Sequence, residues 1–349
     1  AYLTVCPEDY SKADGQVYLV VRTTDGFTAT YAKPGIDILP GQMKVIRQEV
    51  TDGTAPEARI SLSAGGQTAN CYVVSAPGTY VFNARVRGNG AGEGVGFEPA
   101  IEMADGMTAD WLWTDSEGLV SGVALDTTSG DIFLTVGEGR GNALVALMQD
   151  GKVVWSWHVW VTDAPQTMTY GNGTVFMDRN LGAVGTTAGG TDAYGMYYQW
   201  GRKDPFYGGE KTETSANAFL EAKNGTVVNP AYPALDWAFS KSATTTDGAA
   251  ANPMTFYNDK VGTGYNWLAS PNATLWGEAK TLNDPCPPGY RVPETGAWED
   301  LISGRQYIDG VSVWDGTNYG MTYTHEEQTA WYPAVSYTHL RAHETLSDL

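Results

Sequence analysis

Short apolar runs separated by turn residues fill residues 111–161, and they constrain the fold more than any other feature of this chain. The runs are WLWT (111–114), GLVSGVAL (118–125), DIFLTV (131–136), NALVALM (142–148) and KVVWSWHVWV (152–161). Turn residues recur about every ten positions, and the apolar residues do not repeat at helical spacing. This pattern predicts an antiparallel β-sandwich.

Two segments of turn-forming residues divide the chain into candidate domains. TDGTAPEA (51–58) has the composition of a linker, and VTDAPQTMTYGNG (161–173) joins the sandwich to the third part of the chain. We therefore expect boundaries near 57 and 164. Residues 1–57 then hold the last strands of a first unit, among them VYLVVRTT (17–24), and residues 58–164 form the predicted sandwich.

Composition favours strands and turns over long helices. The chain of 349 residues contains 42 glycines, 20 tyrosines and 12 tryptophans. Helices are expected only at about 192–201, where Asp192 is a candidate N-cap, and at about 295–303, where Trp298, Leu301 and Ile302 recur at helical spacing. The predicted fold class is mainly β with minor α.

Charge and hydropathy limit the partners. Forty acidic residues against 21 basic ones give a net charge of -19, which repels a polyanion such as DNA, so we expect no nucleic-acid partner. No apolar run reaches the roughly 18 residues of a membrane span, so we expect no transmembrane segment here. Cys6, Cys71 and Cys286 are far apart in sequence and contain no C-x-x-C motif.

Two blocks of sequence carry a family resemblance: MDRNLGAVGTTAGGTDAYGMYYQWGRKDP (177–205) and DPCPPGYRVPETGAW (284–298). They resemble the opening and middle of a C-type-lectin-like domain of the Fibrobacter succinogenes major paralogous type. That family is related in fold to formylglycine-generating enzymes and is common on surface proteins of Bacteroidetes. The resemblance implies a C-type-lectin-like α+β domain at 165–335 that serves display and binding.

The preceding modules support the same interpretation. ANCYVVSAPGTY (69–80) and GNALVALMQDGKVVWSWHVWVTD (141–163) resemble a module found before such domains, and residues 1–57 resemble the end of a fimbrillin-like β-sandwich. The resemblance implies a cell-surface or outer-membrane adhesin, on the extracellular face, that binds a glycan or a protein. Other fimbrial subunits are further expected partners. A polysaccharide-acting surface enzyme or accessory module, and a structural pilus subunit, are the alternatives.

The last fourteen residues, 336–349, differ in sequence character from the rest of the chain. SYTHLRAHETLSDL (336–349) resembles translated sequencing adapter, and the aromatic-rich strands that the family pattern places after 335 are missing. We expect a fragment that is truncated at both ends, with a non-native tail and with its signal or lipid anchor outside the sequence.

Aromatic residues in loop-like sequence are the candidate ligand contacts. They lie among Gly, Asn, Asp and Thr in the third domain, where exposed rings stack on sugars or anchor protein partners. The candidates are Trp267, Trp276, Trp314, Tyr319 and Trp331.

The residues of the two blocks are expected to hold the fold together. Short polar side chains satisfy backbone groups at turns, prolines stiffen the segment around Cys286, and the two tryptophans suit a core. This structural set is Asp178, Arg179, Asn180, Trp200, Asp284, Cys286, Arg291 and Trp298.

No motif predicts catalysis, a cofactor or a metal. Cys286 is the third domain's only cysteine, whereas formylglycine-generating enzymes use a cysteine pair, and no G-x-S-x-G is present. His339 and His343 have half of a zinc motif, but Leu340 stands where H-E-x-x-H has its glutamate. The calcium-binding sugar motifs of C-type lectins are also absent.

Overall fold

The computed structural model describes residues 16–22, 28–34, 59–89, 100–170, 173–207, 225–293, 297, 312–318 and 320–333. It divides the chain into two compact units, residues 1–59 and 60–349. The division between these two units lies two residues from the boundary expected near 57. Several predictions lie outside the described residues: Cys6, Trp298, Tyr319, most of the helix at 295–303, and the tail at 336–349.

In the first unit, two strands form a hairpin. Strand β1 (Gln16–Arg22) pairs antiparallel with β2 (Thr28–Pro34), and the register runs from Gln16 opposite Pro34 to Arg22 opposite Thr28. Residues 17–22 of the apolar run at 17–24 therefore lie in a strand, and residues 23 and 24 lie outside the described residues. Pro34 stands at the last position of β2, where a missing N–H disturbs the ladder least.

The second unit begins with two sheets. The strands are β3 (Ile60–Ser61), β4 (Cys71–Val74), β5 (Gly78–Asn83), β6 (Met107–Thr114), β7 (Val120–Asp126), β8 (Asp131–Val136), β9 (Gly141–Gln149) and β10 (Lys152–Val161). One sheet has the order β3-β5-β8-β7. The other contains β6-β9-β10-β4 and continues beyond β6 into a later segment. The observed bounds of β8 and β10 coincide with the predicted runs.

The core between these two sheets is apolar and aromatic. Phe82 of β5 packs against Tyr72 of β4 and Trp157 of β10, with ring centroids 5.0 and 5.2 Å apart. Alternate residues of each strand point into this layer, as the period of two requires. Fully buried side chains from both sheets, such as Leu134 and Val145, complete it. The predicted sandwich is present, but it is not antiparallel throughout, because β4 pairs in parallel with β10 and β3 pairs in parallel with β5.

The outer face of the β6-β9-β10-β4 sheet is also buried. Leu144 and Met148 of β9 belong to one apolar cluster with Phe206, Trp237 and Met254, which come from the later part of the chain. Strand β13 (Val227–Val228) extends the same sheet by pairing with β6. Residues on the two sides of the expected boundary near 164 thus share a sheet and a core. The assignment of 58–164 and 165–335 to different modules stays a prediction.

Smaller elements come after the sandwich. They are β11 (Thr167–Thr169), β12 (Val175–Met177), β14 (Ala238–Ser240), α1 (Thr246–Ala251), β15 (Thr255–Tyr257), β16 (Ser312–Asp315), β17 (Gly320–His325) and β18 (Gln328–Pro333). Strands β16, β17 and β18 form a sheet in that order, β11 pairs with β12, and β14 pairs in parallel with β15. Thr245 caps α1 by accepting a hydrogen bond from the Gly248 N–H.

The predicted fold class, mainly β with minor α, is confirmed. The helix predicted at 192–201 is wrong: that segment has only a 3-10 turn at Thr191–Ala193. Gly195, with a φ of 80°, and Gly201, with a φ of 79°, adopt left-handed conformations that interrupt a helix. A Cβ on Gly195 would lie 2.6 Å from the Leu181 carbonyl oxygen, so close packing also requires the glycine.

Candidate functional site

Three of the predicted ligand-binding aromatic residues are buried. Trp267, Trp276 and Trp331 are 5%, 8% and 4% exposed, so the expectation that they line an exposed loop face is wrong. The indole N–H of Trp267 donates to the Trp200 carbonyl at 2.6 Å, and that of Trp276 donates to the Asn283 carbonyl at 2.9 Å. The loop-like sequence around these residues therefore gave no sign that they are buried in the core. For Trp267 and Trp276, backbone oxygens accept the hydrogen bond of the indole N–H.

Trp314 differs from the other three, since 40% of it is exposed. It belongs to β16 and precedes a tight turn that connects to β17. In this turn Asp315 Oδ1 accepts hydrogen bonds from the Thr317 and Asn318 N–H groups at 2.9 and 3.0 Å, and Oδ2 accepts from Asn318 Nδ2 at 2.7 Å. These bonds lower the pKa of Asp315 and fix the turn beside the indole. Tyr319 lies outside the described residues.

The first of the two blocks that carry the family resemblance, 177–205, contains an ion-pair cluster. Arg179 is 5% exposed and binds Asp178 through Nε at 2.8 Å and Asp163 through Nη2 at 3.2 Å. Arg179 Nη1 also donates to Thr162 Oγ1, at the end of β10. Asn180 donates to the Tyr194 carbonyl at 3.2 Å. These contacts tie the block to the sandwich, and its structural role stays a prediction.

In the second block, 284–298, the Asp284 side chain is the common acceptor of several hydrogen bonds. Its Oδ1 accepts from Lys280 Nζ at 2.6 Å and from the Cys286 N–H at 2.8 Å, and its Oδ2 accepts from the Val292 N–H at 2.9 Å. Asn70, beside β4, donates to the Asp284 carbonyl at 2.9 Å. Since every one of these groups is at least partly buried, Asp284 fixes the block against the sandwich.

Trp200 and Arg291 complete the structural set within the described residues. The Trp200 and Trp276 rings pack with centroids 5.9 Å apart. Arg291 Nη1 donates to the Val292 carbonyl at 3.2 Å. Trp200 thus contacts the segment that precedes the second block, and Arg291 contacts its own block.

Cys286 is 4% exposed and free, and Cys71 of β4 is also buried and free. Burial raises the pKa of both thiols above the ordinary value, so they stay protonated near neutral pH. A protonated, enclosed thiol is a poor nucleophile. Cys286 is thus enclosed and protonated, and its structural role stays a prediction.

A set of buried charges was missed by the sequence analysis. Arg202, Lys203 and Asp204, from the WGRKDP segment, are 2%, 3% and 1% exposed. Arg202 donates to the Thr255, Asn252 and Pro253 carbonyls at 2.7, 2.9 and 3.0 Å, next to the end of α1. Charged residues are normally solvated, so their pattern gave no sign of burial. The adjacent Gly201 and Pro205 were the only local hint of a tight, packed segment.

Lys203 and Asp204 connect this segment to β10. Lys203 Nζ donates to Asp204 Oδ1 and to Ser156 Oγ, both at 2.6 Å, and Ser156 Oγ donates to Asp204 Oδ1 at 2.6 Å. Burial lowers the pKa of Lys203 while the Asp204 carboxylate opposes that shift. A serine beside a lysine resembles a nucleophile–base pair, but all three side chains are enclosed, so a substrate has no access to the hydroxyl.

His158, also on β10, is the centre of a buried hydrogen-bond chain. Asn142 Nδ2 donates to Asp115 Oδ2 and to the Gly182 carbonyl, both at 3.0 Å, which places Asn142 Oδ1 toward His158 Nε2 at 2.8 Å. His158 therefore carries its proton on Nε2 and accepts from the Tyr198 hydroxyl through Nδ1 at 3.2 Å. Burial lowers its pKa to about 3. A neutral, fully bonded imidazole has a structural role here.

The described residues contain no group of three His, Cys, Asp or Glu side chains placed to hold a metal ion. A depression between 234–236 and 252–255 has a volume of about 20 Å³, which accommodates about one water molecule. It is too small for a sugar ring or a similar substrate. Among the described helices, none has the length and apolar character to cross a bilayer.

Comparison with protein-family models, with curated proteins and with solved structures found no match to this chain. The resemblance of 177–205 and 284–298 to a C-type-lectin-like domain rests on those motifs alone. The function of the chain must therefore be inferred from its own fold and contacts together with that resemblance.

Proposed function

We propose that this chain is part of a cell-surface, adhesin-like protein that binds a glycan or a protein ligand through exposed aromatic side chains on loops or next to turns. The observation that carries this proposal is the exposure of Trp314 beside a rigid turn. An exposed indole on a fixed backbone gives a large contact area with little loss of side-chain entropy on binding. The family resemblance supplies the surface location and the adhesin class.

The buried polar clusters support a binding function over an enzymatic one. Ser156, Lys203 and Asp204 are enclosed by the sheet and the WGRKDP segment, and His158 has both ring nitrogens occupied. These side chains hold β10 to the later part of the chain. The enzyme and pilus-subunit alternatives have no comparable support among the described residues.

A surface-ligand array tests the proposal. The full chain and its Trp314→Ala variant are applied to arrayed glycans and extracellular-matrix proteins, and affinities are then measured for each ligand that binds. Loss of the indole is expected to weaken binding at least about tenfold, or 1.4 kcal/mol. Trp314→Phe, which keeps an aromatic ring, is expected to retain part of the affinity.

Val175→Ala is the matched control, because Val175 is an exposed apolar residue of β12 that is 53% accessible. Its affinity and melting temperature are expected to equal those of the unmodified chain. A Trp314→Ala variant with unchanged affinity would contradict the assignment of this residue. Failure of the unmodified chain to bind any surface ligand would contradict the proposed function itself.

A further inference from the structure

A second exposed aromatic residue, Tyr265, lies in a loop that the sequence analysis did not single out. The loop runs from Asp259 to Asn266, which form an isolated β-bridge. The Tyr265 N–H donates to the Asp259 carbonyl at 2.8 Å, and the Gly262 N–H donates to Asp259 Oδ1 at 2.7 Å. Thr263 Oγ1 donates to the Asn266 carbonyl at 2.7 Å. The loop is therefore fixed by its own hydrogen bonds.

The base of the loop is anchored in the core. Asn266 precedes Trp267, which is buried and whose carbonyl accepts a hydrogen bond from the Thr244 N–H at 2.8 Å. Asn266 Oδ1 also accepts from the Leu268 N–H at 2.9 Å. A change at the tip of the loop can thus be made without disturbing the buried residues that hold it.

Tyr265 has an unusual conformation for its residue type. Its φ is 74°, in the left-handed region that Gly and Asn adopt readily and that bulky residues avoid, yet the side chain is 59% exposed. The strain is not offset by burial of the ring. Strained residues of this kind concentrate where a side chain must be presented to a ligand.

Chemical groups around the ring indicate what it would contact. Lys260 Nζ lies over the Tyr265 ring, 5.8 Å from its centroid and near the outer limit of a cation–π contact, so an ammonium group is adjacent to the exposed ring. A Cβ on the neighbouring Gly264 would meet nothing within 4 Å, and Val261 is 95% exposed. This side of the loop is open to an approaching molecule.

We infer that Tyr265 and Lys260 form a contact site for a carboxylated sugar. The C–H face of the sugar packs on the Tyr265 ring, and the carboxylate pairs with Lys260. The net charge of -19 repels long polyanions, so a single acidic sugar or a short oligosaccharide fits better than an acidic polymer. This inference rests on the proposed function, of which it names the ligand class.

Two matched pairs of sugars test the ligand class by titration of the full chain. One pair is digalacturonate and its carboxyl-reduced counterpart, and the other is 3′-sialyllactose and lactose. An exposed ion pair contributes little, so at least one acidic sugar is expected to bind about threefold to fivefold more tightly than its neutral partner. Added salt should reduce this preference.

Three variants test the residues. Tyr265→Asn removes the ring and keeps a residue that tolerates the left-handed backbone, and it is expected to weaken binding of the acidic sugar about tenfold. Lys260→Gln should abolish the preference for the acidic sugar while keeping affinity for the neutral one. Val261→Ala, at the exposed tip of the same loop, is the control and should leave both affinities unchanged.

The outcomes separate this inference from the proposed function. Binding of the acidic sugar that is lost in Tyr265→Asn and loses its charge preference in Lys260→Gln supports the inference. Any of three results overturns the inference. These are equal affinity for the acidic and neutral sugars, binding that is unaffected by either substitution, and no binding of these four sugars. In each of these cases, surface binding that depends on Trp314 would leave the proposed function standing.

Discussion

At the scale of single residues, exposure divides the tryptophans of the third segment. Trp267 is 5% exposed and Trp314 is 40% exposed, although both lie in sequence rich in Gly, Asn and Thr. Trp267→Ala is expected to lower the free energy of unfolding by about 3–5 kcal/mol, and Trp314→Ala by less than about 1 kcal/mol. Equilibrium denaturation in urea measures both. Equal losses for the two variants would contradict the described burial.

The buried ion pair provides a second prediction at this scale. Lys203→Met leaves the Asp204 carboxylate enclosed without its closest cation, since Lys203 Nζ is 2.6 Å from Asp204 Oδ1. The expected loss of unfolding free energy is about 3–5 kcal/mol. Combining it with Asp204→Asn should cost less than the sum of the two single changes, as a double-mutant cycle in urea will measure. Additive losses would mean that the two charges do not interact.

His158 and Asp115 give opposite contributions to the pH dependence of stability. The pKa of His158 is lowered from 6.5 to about 3 by burial, so its contribution is present above pH 6.5 and is lost as pH falls toward 3. The pKa of Asp115 is raised from 3.8 to about 6, also by burial, so its contribution is present below pH 3.8 and is lost as pH rises through 6. Between pH 3.8 and 6, a fall in pH therefore lowers the contribution of His158 to stability and raises that of Asp115.

Single substitutions should separate the two effects. Relative to the unmodified chain, Asp115→Asn should lose stability as pH falls from about 6 to 4, and His158→Gln should gain it, each by up to about 1.4 kcal/mol per pH unit. Urea denaturation at several pH values, with identical ionic strength, measures both slopes. Parallel profiles for the two variants would show that these groups do not titrate differently in the folded and unfolded states.

At the scale of elements, the strands of the sandwich were predictable and the later segments were not. β8 and β10 have the predicted bounds because apolar runs between turn residues determine strands locally. The segment at 192–201 has apolar residues at helical spacing, but left-handed Gly195 overrides that local preference. The spacing of residues gives no information on a close approach between Gly195 and the Leu181 carbonyl.

Glycine substitutions test this explanation. Gly195 and Gly264 both have left-handed φ values, 80° and 64°, but a Cβ on Gly195 meets the Leu181 carbonyl oxygen at 2.6 Å whereas one on Gly264 meets nothing within 4 Å. Gly264→Ala should cost about 1 kcal/mol of unfolding free energy, and Gly195→Ala clearly more, since backbone atoms must move. Melting curves of the two variants compare them directly. A smaller loss at Gly195 would contradict the described packing.

The candidate binding residues show the same limit of prediction. Sequence composition selected Trp314 together with Trp267, Trp276 and Trp331, although only Trp314 of these four is exposed, because burial depends on contacts far along the chain. Tyr265 was not identified, since nothing in VGTGYNW (261–267) indicates a left-handed backbone at the tyrosine. The Arg202–Asp204 cluster was missed for the opposite reason, as charged residues were expected in solvent.

At the scale of the whole molecule, contacts between β10 and the segment after residue 164 hold the second unit together. One face of β10 packs in the sandwich core through Trp157, and the other contributes Ser156 and His158 to contacts with Lys203 and Tyr198. Apolar residues of β9 pack against Phe206 and Trp237 beside these polar groups. Strand β16, which carries Trp314, and the loop that carries Tyr265 belong to the same compact unit.

Native-state hydrogen exchange of the full chain, monitored by mass spectrometry at increasing urea, tests this shared core most directly. Amides of β9 and β10 and amides of 196–206 and 246–257 are expected to lose protection together, with the same apparent free energy and the same urea dependence, as one cooperative unit requires. Earlier exchange of 196–206 and 246–257, with β9 and β10 still fully protected, would show two independently folding parts and contradict the shared core.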